Sequence, residues 1–271
     1  MIIAIQGQRA SFHDIGAGKY FGAGERLFCE SFTETIAALT TKKADYSLCA
    51  IENSIHGSID EVYELIAKHN LFIVGELYIP ISQCLIGLPG SAIESISSVY
   101  SHPVALSQCE EWLTDHLPYA DKHEYHDTAA SVGHILELAD EHAAAIASKE
   151  AAELYELPIL ASSIETDKEN YTRFVVIANE LAVPEQANKT SLLLKTDHTP
   201  GALYTALGAF AKRSINLSKI ESRPILGKAW HYKFYVDVGA SIESTACKEA
   251  FSELSDNGFT VQLLGSYKSM H

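Results

Sequence analysis

The chain has 271 residues, 47% of them hydrophobic, and a formal net charge of −15. That fits one large or two unequal globular domains at about 150 residues each and excludes a disordered polymer. The negative field repels phosphate backbones and anionic lipid, so neither nucleic acid nor a membrane is expected as a partner. An anionic ligand would need local donors such as helix N-termini or a few placed Arg and Lys.

From the N-terminus, 2–5 reads as a short buried strand ending at Gly7. Ser11 then caps a helix running toward Gly22 and Gly24. A strand at 26–29 precedes a helix at 33–43, with Lys42 and Lys43 where the helix dipole favours cations. A strand at 46–51 follows. Ile59, Val62, Leu65 and Ile66 mark an amphipathic helix over 59–69, and 71–74 is the next strand. Further along, 97–100 is a strand, and Pro103 opens a helix through Trp112. The segment 122–125 is extended, Asp127 or Thr128 caps a helix through Leu138, and 143–147 is a strand. A short helix at 148–155 and extended segments at 159–162 and 174–178 complete an α/β pattern.

The polar stretch 179–190, with Pro184 and no period, reads as a linker. Strand 191–196, helix 201–213, strands 215–222 and 231–238, helix 243–257 and strand 259–265 then give β-α-β-β-α-β, the ferredoxin-like order.

Several motifs fail. Gly16, Gly18 and Gly22 are spaced one residue too long for a dinucleotide turn and fall inside the first helix. His123 and His126 would face opposite sides of a strand, and no H-E-x-x-H occurs, so no metal is expected. Ser54 and His56 are too close in sequence to oppose each other as nucleophile and base. The five cysteines form no C-x-x-C pair, and MIIAIQ is too short for a signal peptide. No apolar run approaches the ~20 residues of a membrane span, so a reduced, cytoplasmic setting is expected. The N-x-S/T triplets at Asn170, Asn188 and Asn216 are then chance matches.

Polar residues gather at predicted strand ends. Ser11 follows the first strand, Glu52-Asn53-Ser54 the third, and Thr128 the segment near Tyr125; Thr172-Arg173 precede a strand. Ligands of open α/β sheets sit outside the strands' carboxyl ends, and hydroxyls at helix N-termini suit a carboxylate. Each hydroxyl read alone is also an ordinary helix cap.

Residues 45–66, DYSLCAIENSIHGSIDEVYELI, resemble the P-I-E-N-S segment of the prephenate dehydratase family, with Ala50 in place of Pro. HPVALSQCEEWL (102–113), DTAASV (127–132) and AAIASKEAAELYEL (144–157) resemble further family blocks. Asn170-Tyr171-Thr172-Arg173-Phe174 carries the family's T-R-F signature. Gly201-Ala202-Leu203 and Glu221-Ser222-Arg223-Pro224 resemble the G-A-L and E-S-R-P stretches of an ACT domain of the dehydratase type. The first motif departs from the pattern G-x-x-G-[AT]-[FY]-S: it reads Gly7-Gln8-Arg9-Ala10-Ser11-Phe12-His13, with Ala10 for Gly and His13 for Ser.

The resemblance implies a monofunctional prephenate dehydratase, since no helical mutase segment precedes Ile2. It implies a catalytic domain at 1–178 of two α/β lobes like those of periplasmic binding proteins, about 1–80 with 166–178, and 81–165. An ACT domain at 191–271 follows. Prephenate would lose water and carbon dioxide without metal or organic cofactor, with Thr172 assisting the leaving hydroxide. Ser11, Asn53, Ser54, Thr128, Arg173 and Phe174 would bind substrate; Arg173 either clamps a carboxylate or forms a buried ion pair. L-phenylalanine would bind as allosteric inhibitor at Gly201, Ala202, Leu203, Asn216, Leu217, Glu221, Ser222, Arg223 and Pro224, between ACT domains paired in a homodimer or homotetramer. Two other readings stand beside it. One is an arogenate dehydratase, whose substrate carries an amine in place of the side-chain keto group. The other is a non-enzymatic small-anion binding protein with a fused amino-acid sensor.

Overall fold

The computed structural model describes residues 1–196, 199–225 and 227–270. Of the expected regulatory segment 191–271, residues 197, 198, 226 and 271 lie outside the described residues. Along the chain run β1 (Ile2–Gln6), α1 (Phe12–Phe21), β2 (Glu25–Cys29), α2 (Phe32–Thr40), β3 (Tyr46–Asn53), β4 (Gly57–Ser58), α3 (Asp60–His69) and β5 (Phe72–Pro80). Next come β6 (Cys84–Ile86), β7 (Ser98–Ser101), α4 (Pro103–Gln108), α5 (Glu110–His116), β8 (Asp121–Glu124), α6 (Thr128–Leu138), β9 (Ala143–Ala147), α7 (Lys149–Leu154), β10 (Ile159–Ser162) and β11 (Tyr171–Ala178). The last are β12 (Lys189–Lys195), α8 (Ala202–Ala211), β13 (Leu217–Ile225), β14 (Lys228–Val238), α9 (Thr245–Asp256) and β15 (Thr260–Tyr267).

Two compact units result: Met1–Ile59 with Tyr78–Phe174, and Asp60–Leu77 with Val175–His271. The first holds two sheets. In one, β1 pairs in parallel with β2 and β3, and β11 lies beside β3. In the other the order is β10-β6-β9-β7-β8, drawn from residues 84–162. Its central strand β9, AAAIA, is buried on both faces. Ala143, Ala145 and Ala147 pack with α6 and α7 residues such as Val132, Ile135 and Ala151. Ala144 and Ile146 pack on the other side with Ala105, Leu106 and Leu113 of α4 and α5. A strand covered on both faces is expected to be uniformly apolar rather than alternating.

Most elements lie where the periodicity puts them; β4 is an additional two-residue strand, β5 runs on to Pro80 where the expected strand ended at 74, and three further differences bear on the first unit. The helix expected from Pro103 through Trp112 divides at Cys109 (φ −104°, ψ 8°), whose N–H reaches the carbonyls of Ala105 and Leu106 as the last turn tightens. Strand β6 carries only three residues, too few to show a period. Thr172 and Arg173 lie inside β11 rather than before it, so their side chains obey strand alternation.

In the second unit β12 runs antiparallel to both β14 and β15, and β13 is antiparallel to β14. The element order is β-α-β-β-α-β from β12 to β15. Leu192 and Leu194 of β12 and Val236 and Val238 of β14 meet Phe210 of α8 and Leu254 of α9 in its core. Glu76 of β5 is fully buried there. It accepts from Lys189 Nζ at 3.0 and 3.1 Å and from Ser269 Oγ at 2.7 Å.

Removing one member of a buried ion pair strands the other charge, whereas replacing both restores an apolar contact. Lys189→Met is therefore expected to lower unfolding stability by about 3–5 kcal/mol in urea titrations, and Lys189→Met with Glu76→Leu to recover most of that loss.

Candidate active site

A cavity of about 360 Å³ opens in the first unit, lined by β1, β3 and β11 of one sheet and by α4, the start of α6 and loop residues that flank the other. It is within the usual size for a small-molecule site. Ser11, Asn53, Thr128, Thr172 and Phe174, all expected to bind or act on substrate, line it together. Ser54 and Arg173 do not. On a strand residues 172 and 174 share one face and 173 takes the other. Arg173 is therefore turned away, 4% exposed, with Nη1 3.5 Å from Glu52 Oε2. Of the two roles expected for Arg173, the geometry matches the buried ion pair and not the carboxylate clamp. Ser54 Oγ accepts from Tyr171 N at 2.9 Å and donates to Glu169 O at 3.1 Å, which ties the end of β3 to the start of β11.

Asn53 organises that junction. Its Oδ1 accepts the backbone N–H groups of Ile55 and His56, both at 3.0 Å. Those two donors fix which end of the amide is oxygen. Nδ2 then donates toward Asn170 Oδ1 (2.7 Å), Tyr171 O (3.1 Å) and Thr172 Oγ1 (3.1 Å), two hydrogens shared among three acceptors. Thr172 Oγ1 is thus an acceptor from Asn53, and its own hydrogen has no acceptor among the described residues. Thr172 is 8% exposed and lines the cavity, and its hydroxyl is polarised to donate into it.

Among the described residues no Lys or Arg lines the cavity. Positive potential comes instead from helix starts: Ser11 caps α1 through Asp14 N, Asp127 caps α6 through Ala130 N, and Thr128 opens α6. Two imidazoles of the lining are held neutral by burial. His102 Nδ1 accepts from Val104 N at 3.2 Å, and burial lowers its pKa against the pull of Asp127 and Glu124. His13 Nε2 accepts from Ala50 N at 3.1 Å, and the ring sits against Phe32 and Phe174. Part of its surface faces the cavity, yet protein surrounds it closely enough that desolvation takes its pKa down to about 3.

The divergent first motif has its own support. Ala10 adopts φ 65°, a conformation natural to glycine. Its methyl packs among Ala129, Ala147 and Ala151, its N–H donates to Asp14 Oδ2 (2.9 Å), and its carbonyl accepts from Ser148 Oγ (2.9 Å). Burial of the methyl and two hydrogen bonds offset the backbone strain. In the second unit Gly201 (φ 84°) opens α8, with Ala202 and Leu203 in its first turn. Asn216 precedes β13, which carries Leu217, Glu221, Ser222, Arg223 and Pro224. Glu221 pairs with Lys219 and Arg223, and Arg223 also with Asp60. No cluster of three or more His, Cys, Asp and Glu able to hold a metal occurs among the described residues.

The family model described as prephenate dehydratase matches residues 3–182. The chain belongs to the prephenate dehydratase family, a family of lyases. A bifunctional chorismate mutase/prephenate dehydratase of Aquifex aeolicus is 39% identical over 98% of this chain and 73% of its own. Arogenate dehydratase 5 of Arabidopsis thaliana is 37% identical over 98% of this chain and 67% of its own. Prephenate dehydratase of Arthrobacter aurescens, solved in complex with L-Phe, superposes with a TM-score of 0.90 at 31% identity over 99% of this chain and 90% of its own. A structure described as a novel type of quorum quenching acylase, GqqA, superposes with a TM-score of 0.89 at 32% identity over 99% and 98% of the two chains.

Against this dehydratase fold, sequence reasoning missed His13, Gln83, His102 and Gln108 as cavity residues. His102 and Gln108 stand in the HPVALSQC block that carried part of the resemblance, which was a usable signal. Gln83 stands in no motif. His13 was noted only as a departure.

The neutral His13 has a consequence for stability. In the unfolded chain an imidazole titrates near 6.5, so between that value and about 3 the unfolded state binds a proton that the fold excludes. Its contribution is fully present above pH 6.5 and falls as pH falls. Between pH 7 and 5.5, urea titrations should show wild type losing about 1 kcal/mol more than His13→Gln. Equal losses would show that His13 protonates freely in the fold.

Proposed function

We propose that the chain converts prephenate to phenylpyruvate. The observation that carries this is the Thr172 hydroxyl: it accepts from Asn53, keeps its own hydrogen for the cavity, and lies among neutral donors and two helix N-termini. Prephenate is a dianion. Loss of the ring carboxylate as carbon dioxide moves its bonding pair into the ring as the C4–O bond breaks. The departing hydroxide takes one proton and leaves as water, so dianion plus proton gives phenylpyruvate monoanion, carbon dioxide and water. Aromatisation drives the reaction, and the protein's task is to position the dianion and stabilise charge on the departing oxygen. Thr172 is placed to donate there. A threonine hydroxyl is too weak an acid to hand over its proton outright, so the proton of the product water comes ultimately from solvent.

The reading is confined to the dehydratase reaction, and chorismate offered to the chain should be left unchanged. Regulation is part of the same proposal. Residues 191–271 would form an ACT domain that binds L-phenylalanine at Gly201–Leu203 and along Asn216–Pro224, in a homodimer or homotetramer. The β-α-β-β-α-β order, the start of α8 at Gly201 without a side-chain cap and the L-Phe complex of the Arthrobacter relative support this. The catalytic domain would then be 1–178 and the linker 179–190. Binding inhibits only if it favours a state that holds substrate poorly. A reduced, cytoplasmic setting fits five buried free cysteines, and no helix among the described residues is long and apolar enough to cross a membrane.

Thr172→Ala should lower prephenate turnover roughly 10²- to 10³-fold, the loss of one transition-state hydrogen bond, while circular dichroism and melting remain those of wild type. Near-normal turnover removes Thr172 from the reaction. L-Phenylalanine should give binding heat in calorimetry and inhibit turnover. A monomer in sedimentation, with no heat and no inhibition at millimolar L-phenylalanine, overturns the regulatory part.

A further inference from the structure

His13 has one nitrogen that the fold does not use. Nε2 accepts the Ala50 N–H at 3.1 Å, so in the neutral ring the proton sits on Nδ1. Nδ1 has no partner among the described residues, and the side chain lines the cavity. Phe32, with ring centroids 5.7 Å apart, and Phe174, edge-on at 5.0 Å, hold the imidazole in place. Burial keeps it uncharged. With its lone pair engaged by Ala50, the ring presents the cavity with a fixed neutral donor and no acceptor.

Its position relative to Thr172 gives that donor a target. Phe174 follows Thr172 by two residues on the same face of β11, roughly 6.6 Å along the strand. That is comparable to a cyclohexadiene ring measured across its two para substituents. A substrate whose C4 hydroxyl meets Thr172 and whose C1–C4 axis runs along β11 toward Phe174 would bring C1, with its carboxylate and three-carbon side chain, to the level of Phe174 and His13. Prephenate and arogenate share both carboxylates, which the helix N-termini attract. They differ at one side-chain atom: a keto oxygen, which accepts hydrogen bonds, against an ammonium, which only donates.

We propose that His13 Nδ1–H donates to the side-chain keto oxygen and makes the site selective for the keto acid prephenate over the amino acid arogenate. This rests on the dehydratase reading above. Facing a donor, an ammonium gives up water and gains no acceptor, while the keto oxygen gains a partner. Discrimination of this kind depends on a mismatched polar group, which rejects a substrate more strongly than a small change in shape.

The test compares kcat/KM for the two substrates in wild type, His13→Gln and His13→Leu. Gln can accept from Ala50 N through Oε1 and donate through Nε2; Leu can do neither. Wild type and His13→Gln should both prefer prephenate, and His13→Leu should lower the prephenate/arogenate ratio roughly ten-fold or more. General damage to the site lowers both rates and leaves the ratio alone. A ratio unchanged in His13→Leu, or a wild type that prefers arogenate, overturns the inference while leaving the dehydratase reading in place. Turnover of neither substrate by wild type contradicts that reading, and this inference with it. Nitrogen NMR of wild type supplies a measurement independent of any variant. It should show the proton on Nδ1 of His13 and a downfield shift of that proton on adding phenylpyruvate; a proton on Nε2 overturns the assignment.

Discussion

The site depends on one amide. Asn53 stands where β3 ends and meets the start of β11, and its two polar atoms serve opposite purposes. Oδ1 holds the turn after β3 through two backbone N–H groups, and Nδ2 holds Thr172 through its oxygen. Because Oδ1 is engaged by donors, the amide cannot invert without losing both. Because Nδ2 only donates, Thr172 must act as acceptor toward it and direct its hydrogen elsewhere. Ser54 reinforces the junction from the next position without entering the cavity.

The second constraint is electrostatic. A chain of net charge −15 that takes a dianion cannot rely on its average field. Its cavity carries no Lys or Arg among the described residues. The cation that sequence reasoning offered, Arg173, is committed to Glu52 on the far face of β11. Beside the Asp127 carboxylate, which caps α6, the lining offers oriented neutral groups: the starts of α1 and α6, the hydroxyls of Ser11, Thr128 and Thr172, and the imidazoles of His13 and His102, which burial keeps uncharged. Preorganised dipoles of this kind stabilise developing charge without having to reorient as the reaction proceeds.

Much of this was legible in the sequence, for identifiable reasons. Buried strands such as 143–147 and amphipathic helices such as α3 declare themselves by composition and period, and caps such as Ser11 and Asp127 by residue type. Thr172, Asn53 and Thr128 stood out as polar residues at predicted strand ends, and the motif resemblance then gave them roles. Strand β6 has too few residues to show a period, and Cys109 breaks a helix that its neighbours would have continued. Arg173 was left open between a clamp and a buried ion pair because its strand was expected to begin one residue after it; with β11 starting at Tyr171, alternation turns Arg173 away from the cavity. His13 shows a limit of pattern reading. As a letter it is only a mismatch, and its role comes from Ala50, Phe32 and Phe174, which lie 19 to 161 positions away in sequence.

The central claim is that Asn53 and Thr172 act as one unit, the amide orienting the hydroxyl that meets the departing oxygen. A double-mutant cycle on kcat/KM for prephenate addresses it directly, with wild type, Asn53→Ala, Thr172→Ala and the double variant. Residues that act as a unit are strongly non-additive. The double variant should be slower than Thr172→Ala by much less than the factor that Asn53→Ala costs in wild type, because with no hydroxyl to orient only the amide's hold on the turn after β3 is left to lose. Losses that multiply, with the double variant slower by the product of the two single effects, would show that the two side chains act independently and would contradict the account.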